Sequence, residues 1–228
     1  MNMTLPATAP PSIQTLFPDC VSTSCCRIAD ADVTLDPEER AVIEHAVAGR
    51  RQEYMAGRLC ARQALEKLGV VAGPLRKLPD GSIAWPEGII GTLSHGEIWC
   101  GVAVARRSET AGIGLDIETI ARIGEKLWRR ILTREERSWM AGQPAAEMQQ
   151  WAALMFSAKE ALYKSIAAHV QQRMGFMDAV IVPDLPQQSF TVRLNEPVAA
   201  LLPRGQNLQG RFFFWAGSVF SGIVLAGC

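Results

Sequence analysis

Two ten-residue stretches far apart in the chain, GEIWCGVAVA at 96–105 and GSVFSGIVLA at 217–226, align without a gap. They share Gly96 with Gly217, Gly101 with Gly222 and Ala105 with Ala226, and each has an aromatic at its fourth position, Trp99 and Phe220. Apolar residues fill most of the other places, as a strand buried on both sides requires. Two unrelated glycine-bearing strands can match this well by chance. A duplication is the other explanation, and it constrains the fold strongly: two related α+β halves, 1–110 and 111–228, meeting near residue 110 with a cleft where they join. At 228 residues the chain is long enough for one large domain or two small ones with real cores.

Local patterns fit that class. The first twenty residues are proline-rich and read as irregular. The run 36–69 reads as helix: Asp36 suits the cap, Pro37 the first turn and Gly69 the stop, with Gly49 or Gly57 as points of division. Residues 78–88, LPDGSIAWPEG, are a turn-rich loop. Strand, turn, strand follows over 89–107, and GIGLDIE at 112–118 is a further strand. TREERSWM and 146–170 are helical, and the remainder is mostly strand.

Composition narrows the functional classes. Hydrophobic residues make up 48% and charged residues 20%, and 23 basic side chains balance 23 acidic ones. No global field favours nucleic acid or an anionic membrane. The N-terminal stretch has neither a basic leader nor a continuous apolar core, and no uncharged run reaches the ~20 apolar residues of a membrane span. Six cysteines without CxxC spacing, beside three histidines, give little support to zinc and read as reduced thiols of a cytoplasmic protein.

The chemistry sits in four places. In GIGLDIE, Ile113, Leu115 and Ile117 point one way and Gly114, Asp116 and Glu118 the other. Two carboxylates about 6.5–7 Å apart along one strand face can reach one hard cation such as Mg²⁺, although a solvated edge-strand face looks the same. In FSAKEALYK, Phe156, Glu160 and Lys164 follow one helix face. Glu160 can complete a three-carboxylate site and Lys159 and Lys164 can meet phosphate, or Glu160 and Lys164 are an ordinary surface pair. In GTLSHGE, Ser94 and His95 lie at a glycine-flanked turn, where His95 can donate to phosphate or serve structure. In GRRQEYMAGRLCAR, Arg50 and Arg58 share a helical face with Arg51 and Arg62 nearby, a forked cationic surface suited to phosphate or simply a solvated one.

GTLSHGE, GIGLDIE and FSAKEALYK, in that order and at those separations, resemble the 4'-phosphopantetheinyl transferases of the Sfp/EntD type, which activate peptide and polyketide synthases. RRQEYMAGRLCARQALEKLG and WPEGIIGTLSHG look like the enterobactin synthase component D branch. The likeness runs from about residue 36 to 170. It implies a pseudo-duplicated α+β fold with coenzyme A between the halves. It implies transfer of the 4'-phosphopantetheine arm to a serine of an apo peptidyl, aryl or acyl carrier, releasing adenosine 3',5'-bisphosphate. By similarity Asp116, Glu118 and Glu160 hold Mg²⁺, with Mn²⁺ as the alternative. His95, Lys159 and Lys164 neutralise phosphate oxygens, and Glu160 is the candidate proton acceptor. Arg50 and Arg58 lie near the 3'-phosphate, with Arg51 a looser member of that group. Ser94, in the turn with His95, belongs to the cofactor-binding set, and Gly81 and Ser82 approach the ligand through backbone. Asp80 departs from the branch, which often has a base there; Arg76 or Lys77 is the candidate replacement. Phe156 stands where many relatives carry Trp.

The resemblance also sets the expected surroundings: a monomer in the cytoplasm, serving a siderophore or other nonribosomal-peptide pathway first and a polyketide pathway second, with no nucleic acid and no membrane. Two competing functions use the same residues. A Mg²⁺-dependent phosphohydrolase would turn over coenzyme A without a carrier. A non-catalytic coenzyme A or carrier-binding module would be expected to have lost one of the three acids, and all three are present.

Overall fold

The computed structural model describes residues 12–79, 81–167, 169, 174–200, 202 and 208–226. In chain order it has β1 (Ser22–Arg27), α1 (Pro37–Val42), α2 (Ala48–Lys67), β2 (Ile89–His95), β3 (Trp99–Arg106), β4 (Thr110–Thr119), α3 (Glu125–Ile131), α4 (Arg134–Met140), α5 (Met148–Ile166), β5 (Ala179–Asp184), β6 (Ser189–Leu194), α6 (Glu196–Ala199), β7 (Gln209–Trp215) and β8 (Ser218–Ala226). The protein is α+β, with one sheet in the order β1-β3-β2 and another in the order β4-β8-β7-β6-β5, all pairs antiparallel.

Four layers result. Along β3, Cys100, Val102 and Val104 face the small side chains of α2, Ala56, Cys60, Ala61, Ala64 and Leu65. Trp99, Ala103 and Ala105 face the other way and pack with Ile113, Leu115 and Ile117 of β4 and with Phe220. The two sheets therefore meet face to face, and α5 covers the outer side of the second one. The short helical turn Ile13–Leu16 plugs the same central layer, although the sequence there reads as irregular; residues 1–11 of that stretch lie outside the described residues.

Both faces of β4 are covered: Ile113, Leu115 and Ile117 enter the central layer, while Gly112, Gly114 and Asp116 face α5. A Cβ on Gly114 would stand 1.7 Å from the Ala161 carbonyl oxygen, so glycine is what lets the helix backbone lie on the strand. Gly114→Ala is expected to cost about 1–3 kcal/mol or more by overpacking, read as a lowered urea midpoint.

The duplication extends well beyond the strand echo. β3 and β8 hold equivalent inner places, each between the first strand of its half and its hairpin partner. Residues 35–67 also align without a gap on 132–164, with 11 of 33 positions identical, including Leu35/Leu132, Glu39/Glu136, Arg40/Arg137, Ala64/Ala161, Leu65/Leu162 and Lys67/Lys164. Each half thus shares a strand, a short capped helix, a long helix and a hairpin, and the second half adds α3, α6 and the β5–β6 pair. The helical run over 36–69, with Gly49 or Gly57 as the expected points of division, breaks instead at 43–47, where buried Ile43 ends α1 and Val47 is extended. Gly57 stays inside α2, where a Cβ would meet Leu93 at 2.8 Å.

Each short helix carries a buried glutamate at its third position. Glu39 accepts from the Asp36 and Leu75 amides and pairs with Arg62 of α2. Glu136 accepts from the Thr133 and Ile181 amides and pairs with Lys159 of α5. These capping boxes also fasten the short helix to the long one. Among the described residues no helix is long and apolar enough to cross a membrane, and the five described cysteines are free thiols.

Candidate active site

A cleft of about 410 Å³ opens where α2, the 77–85 loop and β2 approach the end of α5. Arg50, Glu53, Tyr54 and Arg58 come from α2; Lys77, Gly81, Ser82 and Trp85 from the loop; Thr92, Leu93 and His95 from β2; and Lys164 from α5. Arg58 is buried, stacks its guanidinium 4.1 Å from the Tyr54 ring centroid and lies 3.6 Å from Glu39. Behind it, burial pushes the Glu39 carboxyl up, but Arg62 and the amides of Leu75 and Asp36 outweigh that and hold it below the usual range. Glu39 remains ionised and pairs with Arg58, a buried cation lining the cleft.

Toward the mouth, Arg50 Nη1 donates to Glu53 Oε2 at 2.8 Å and stands 3.5 Å from His95 Nε2. At the far end, Lys164 Nζ donates to Asp116 Oδ1 at 2.8 Å, Ser94 Oγ at 3.0 Å and the Leu115 carbonyl at 3.0 Å. Ser94 Oγ donates to Asp116 Oδ1 at 3.0 Å and accepts the Ile117 amide. Ser94, Asp116 and Lys164 therefore join β2 of the first half to β4 and α5 of the second.

Glu118 and Glu160 lie beside this triangle, both half-buried. Burial raises the Glu118 carboxyl, and the charge of Asp116 adds to that against the Thr119 amide. Burial also raises Glu160, with the charges of Asp116 and Glu118 adding and Lys164 opposing. The charge of Asp116 thus disfavours ionisation of both neighbouring glutamates. Among the described residues no three such side chains are gathered closely enough to ligate a metal ion as they stand; Asp116 Oδ1 accepts from Lys164 and Glu118 accepts its neighbour's amide. The donor set nonetheless fits a hard dication: oxygen ligands only, partly desolvated, with mutual repulsion that a cation would relieve.

A carboxyl whose pKa is raised favours the protonated folded form, so its ionisation works against the fold above the raised value. That cost disappears as pH falls through the raised pKa toward the ordinary 4.5. Glu160→Gln is accordingly expected to raise the melting temperature of the metal-free protein by about 1–2 °C at pH 7.5, with the gain vanishing near pH 4.5. Scanning calorimetry across that range checks it.

The structure brings Arg50, Arg58, Gly81, Ser82, His95 and Lys164 to the cleft and Ser94, Asp116, Glu118 and Glu160 to its end. Two expectations are corrected. Lys159 does not face phosphate: its side chain is 0% exposed, and Nζ donates to Glu136 Oε2 at 2.7 Å, the Ile131 carbonyl at 2.8 Å and the Phe176 carbonyl at 2.7 Å. It occupies the place of Arg62 in the other half, and both are clamp cations. Arg51 is exposed and turned to the Ala46 carbonyl, 2.6 Å away, outside the cleft. Of the two candidates near Asp80, Arg76 is taken by Glu38 while Lys77 lines the cleft; Asp80 itself lies outside the described residues. Phe156 is a packing residue, stacked on Phe176 with centroids 5.3 Å apart. Sequence reasoning named Lys77 only as one of two candidates, and it missed the Tyr54–Arg58 stack and the Glu39 support. The repeated LDPEER and LTREER would have pointed to Glu39 and Glu136.

The sequence profile of the 4'-phosphopantetheinyl transferase N-terminal domain matches residues 38–105, and that of the 4'-phosphopantetheinyl transferase superfamily matches residues 112–214. The chain is 33% identical over 194 residues to the 4'-phosphopantetheinyl transferase Svp of Streptomyces mobaraensis, covering 84% of this chain and 79% of that one. It is 33% identical over 197 residues to PptT of Mycobacterium tuberculosis, covering 83% and 85%. Enterobactin synthase component D of Escherichia coli O157:H7 is 33% identical over 165 residues, covering 70% and 74%. The chain belongs to the 4'-phosphopantetheinyl transferase family.

Proposed function

We propose that this protein transfers the 4'-phosphopantetheine group of coenzyme A to a serine of apo carrier proteins, and that it does so in the cleft described above. The observation that carries the assignment of place is the Ser94–Asp116–Lys164 triangle, which closes a cationic cleft with an acidic end. Arg50, Arg58 and Lys77 suit the 3'-phosphate end of coenzyme A, and His95 and Lys164 suit the pyrophosphate. Asp116, Glu118 and Glu160 would hold Mg²⁺, or Mn²⁺ in its place. Bound there, the ion would orient the pyrophosphate and neutralise its charge.

In the transfer a bond forms between the carrier serine oxygen and the β-phosphorus, and the bond from that phosphorus to the bridging oxygen of adenosine 3',5'-bisphosphate breaks. Lys164 places positive charge, and His95 a hydrogen-bond donor, where the departing phosphate gains negative charge. Glu160, at the acidic end of the cleft, is the candidate acceptor of the serine proton, directly or through a water. The two halves divide near residue 110, in keeping with sheets that separate between Arg106 and Thr110 and with profiles that match on either side of it. A cleft built within one chain makes a monomer sufficient. The carriers proposed are peptidyl, aryl or acyl carriers of nonribosomal peptide synthases, siderophore pathways first, or of polyketide synthases, met in the cytoplasm.

Mass spectrometry of apo carriers incubated with coenzyme A, Mg²⁺ and the protein tests this directly. Transfer adds about 340 Da to a carrier serine through a covalent step. No adduct on any peptidyl, aryl or acyl carrier, with coenzyme A consumed in their absence, would instead support hydrolysis.

A further inference from the structure

Three buried polar atoms behind Asp116 have no hydrogen-bond partner among the described residues: Asp116 Oδ2, Ser157 Oγ and Ser221 Oγ. Both serines are at most 1% exposed, so bulk water does not serve them. Neither is part of the cleft or of the acid set.

The fold places the three together. Asp116 and Ser221 are direct partners in the β4–β8 register, so their side chains share one face of the sheet. That face is the one α5 covers, with Gly112 against the Ser165 carbonyl and Gly114 against that of Ala161. Two residues along a strand advance about 6.8 Å and four along a helix about 6 Å. The next step in this series sets Asp116 against residue 157.

The other half of the molecule shows the same three positions in contact. Under the 35–67 and 132–164 alignment Ser157 corresponds to Cys60, and under the strand echo Ser221 corresponds to Cys100. Cys26 is paired with Cys100 as Asp116 is with Ser221. There Cys60 Sγ lies 3.4 Å from Cys26 Sγ and 3.6 Å from the Cys100 carbonyl. Bulky sulfur fills that niche and needs little hydrogen bonding. In the second half hydroxyls and a carboxylate replace the thiols, and their polar atoms go unmet.

We propose that Asp116 Oδ2, Ser157 Oγ and Ser221 Oγ share one buried water molecule, and that through it the two serines are positioning residues for Asp116. A water offers two donors and two acceptors, enough for a carboxylate oxygen and two hydroxyls, and internal waters typically make about three such bonds. With Oδ2 held from behind, Oδ1 stays turned to Lys164, Ser94 and the cleft.

The test begins with a crystal structure of the full chain at about 1.5 Å or better. The expected result is one density peak within about 2.7–3.2 Å of all three atoms. An empty niche, or a serine bonded directly to Asp116 with no such peak, overturns the proposal. The second arm rests on the function proposed above and reads Mn²⁺ affinity by electron paramagnetic resonance. Ser157→Ala and Ser221→Ala are each expected to weaken binding about 10–100-fold, and the double variant no further than the worse single, because both act through one water. Coenzyme A KM should stay within about twofold while kcat falls, as expected of residues that orient a group rather than bind substrate. Multiplying effects in the double variant, or unchanged affinity in both singles, overturn the positioning role. If the unaltered protein binds no Mn²⁺, the functional assignment fails, while the crystallographic result still decides the water.

Discussion

Asp116→Ala is expected to lower carrier modification by about 100–1,000-fold or more, the loss seen when one group that stabilises transition-state charge is removed. Asp116 is the point at which the halves share chemistry: it receives Ser94 from β2 and Lys164 from α5. Without its carboxylate the acid set drops to two and the Lys164 ammonium loses its anion. The fold should survive, because Lys164 keeps the Leu115 carbonyl and Ser94, and about a third of its side chain is exposed to solvent. Steady-state transfer rates beside circular-dichroism melts check both halves of the expectation. Retained activity would remove Asp116 from the site.

The second large effect lies away from the cleft. Glu136→Ala strands the Lys159 ammonium at 0% exposure and also strips the Thr133 and Ile181 amides of their acceptor. Removing one partner of a buried ion pair costs about 3–5 kcal/mol, which for a chain of this length lowers the melting temperature by about 6–20 °C. Burial lowers the Lys159 affinity for its proton and Glu136 opposes that, so loss of the glutamate tips the balance toward neutral amine. Lys159→Met separates stability from ligand binding. The variant should be less stable, yet its folded fraction should bind coenzyme A with unchanged affinity, since Nζ is spent on Glu136 and two carbonyls. A large loss of coenzyme A affinity would return Lys159 to the phosphate set.

Much of the site was legible because its chemistry is carried by short local patterns. Alternation along 112–118 put Asp116 and Glu118 on one face, and four-residue spacing put Glu160 and Lys164 on another. Lys159 was misread for a physical reason. A lysine beside a glutamate on an amphipathic helix looks solvated, and only the repeat with Arg62 shows that its position turns inward to a buried capping glutamate. Arg51 was misread because the helix begins at Ala48, which leaves it in the first turn, reaching back to the Ala46 carbonyl. The halves were suggested by two strands, yet the longer 35–67 repeat went unnoticed because its identities are scattered at helical spacing rather than contiguous. Lys77 could not be chosen over Arg76 from sequence, since the choice depends on Glu38, which folds back from α1 to hold Arg76.

Anomalous diffraction from crystals soaked with Mn²⁺ and coenzyme A tests the central claim most directly. A single strong peak bounded by the carboxylates of Asp116, Glu118 and Glu160, with the pyrophosphate against it and the 3'-phosphate toward Arg58 and Lys77, is the result expected. Coenzyme A bound in the cleft with no metal peak at those three acids, or with the peak elsewhere, would contradict it.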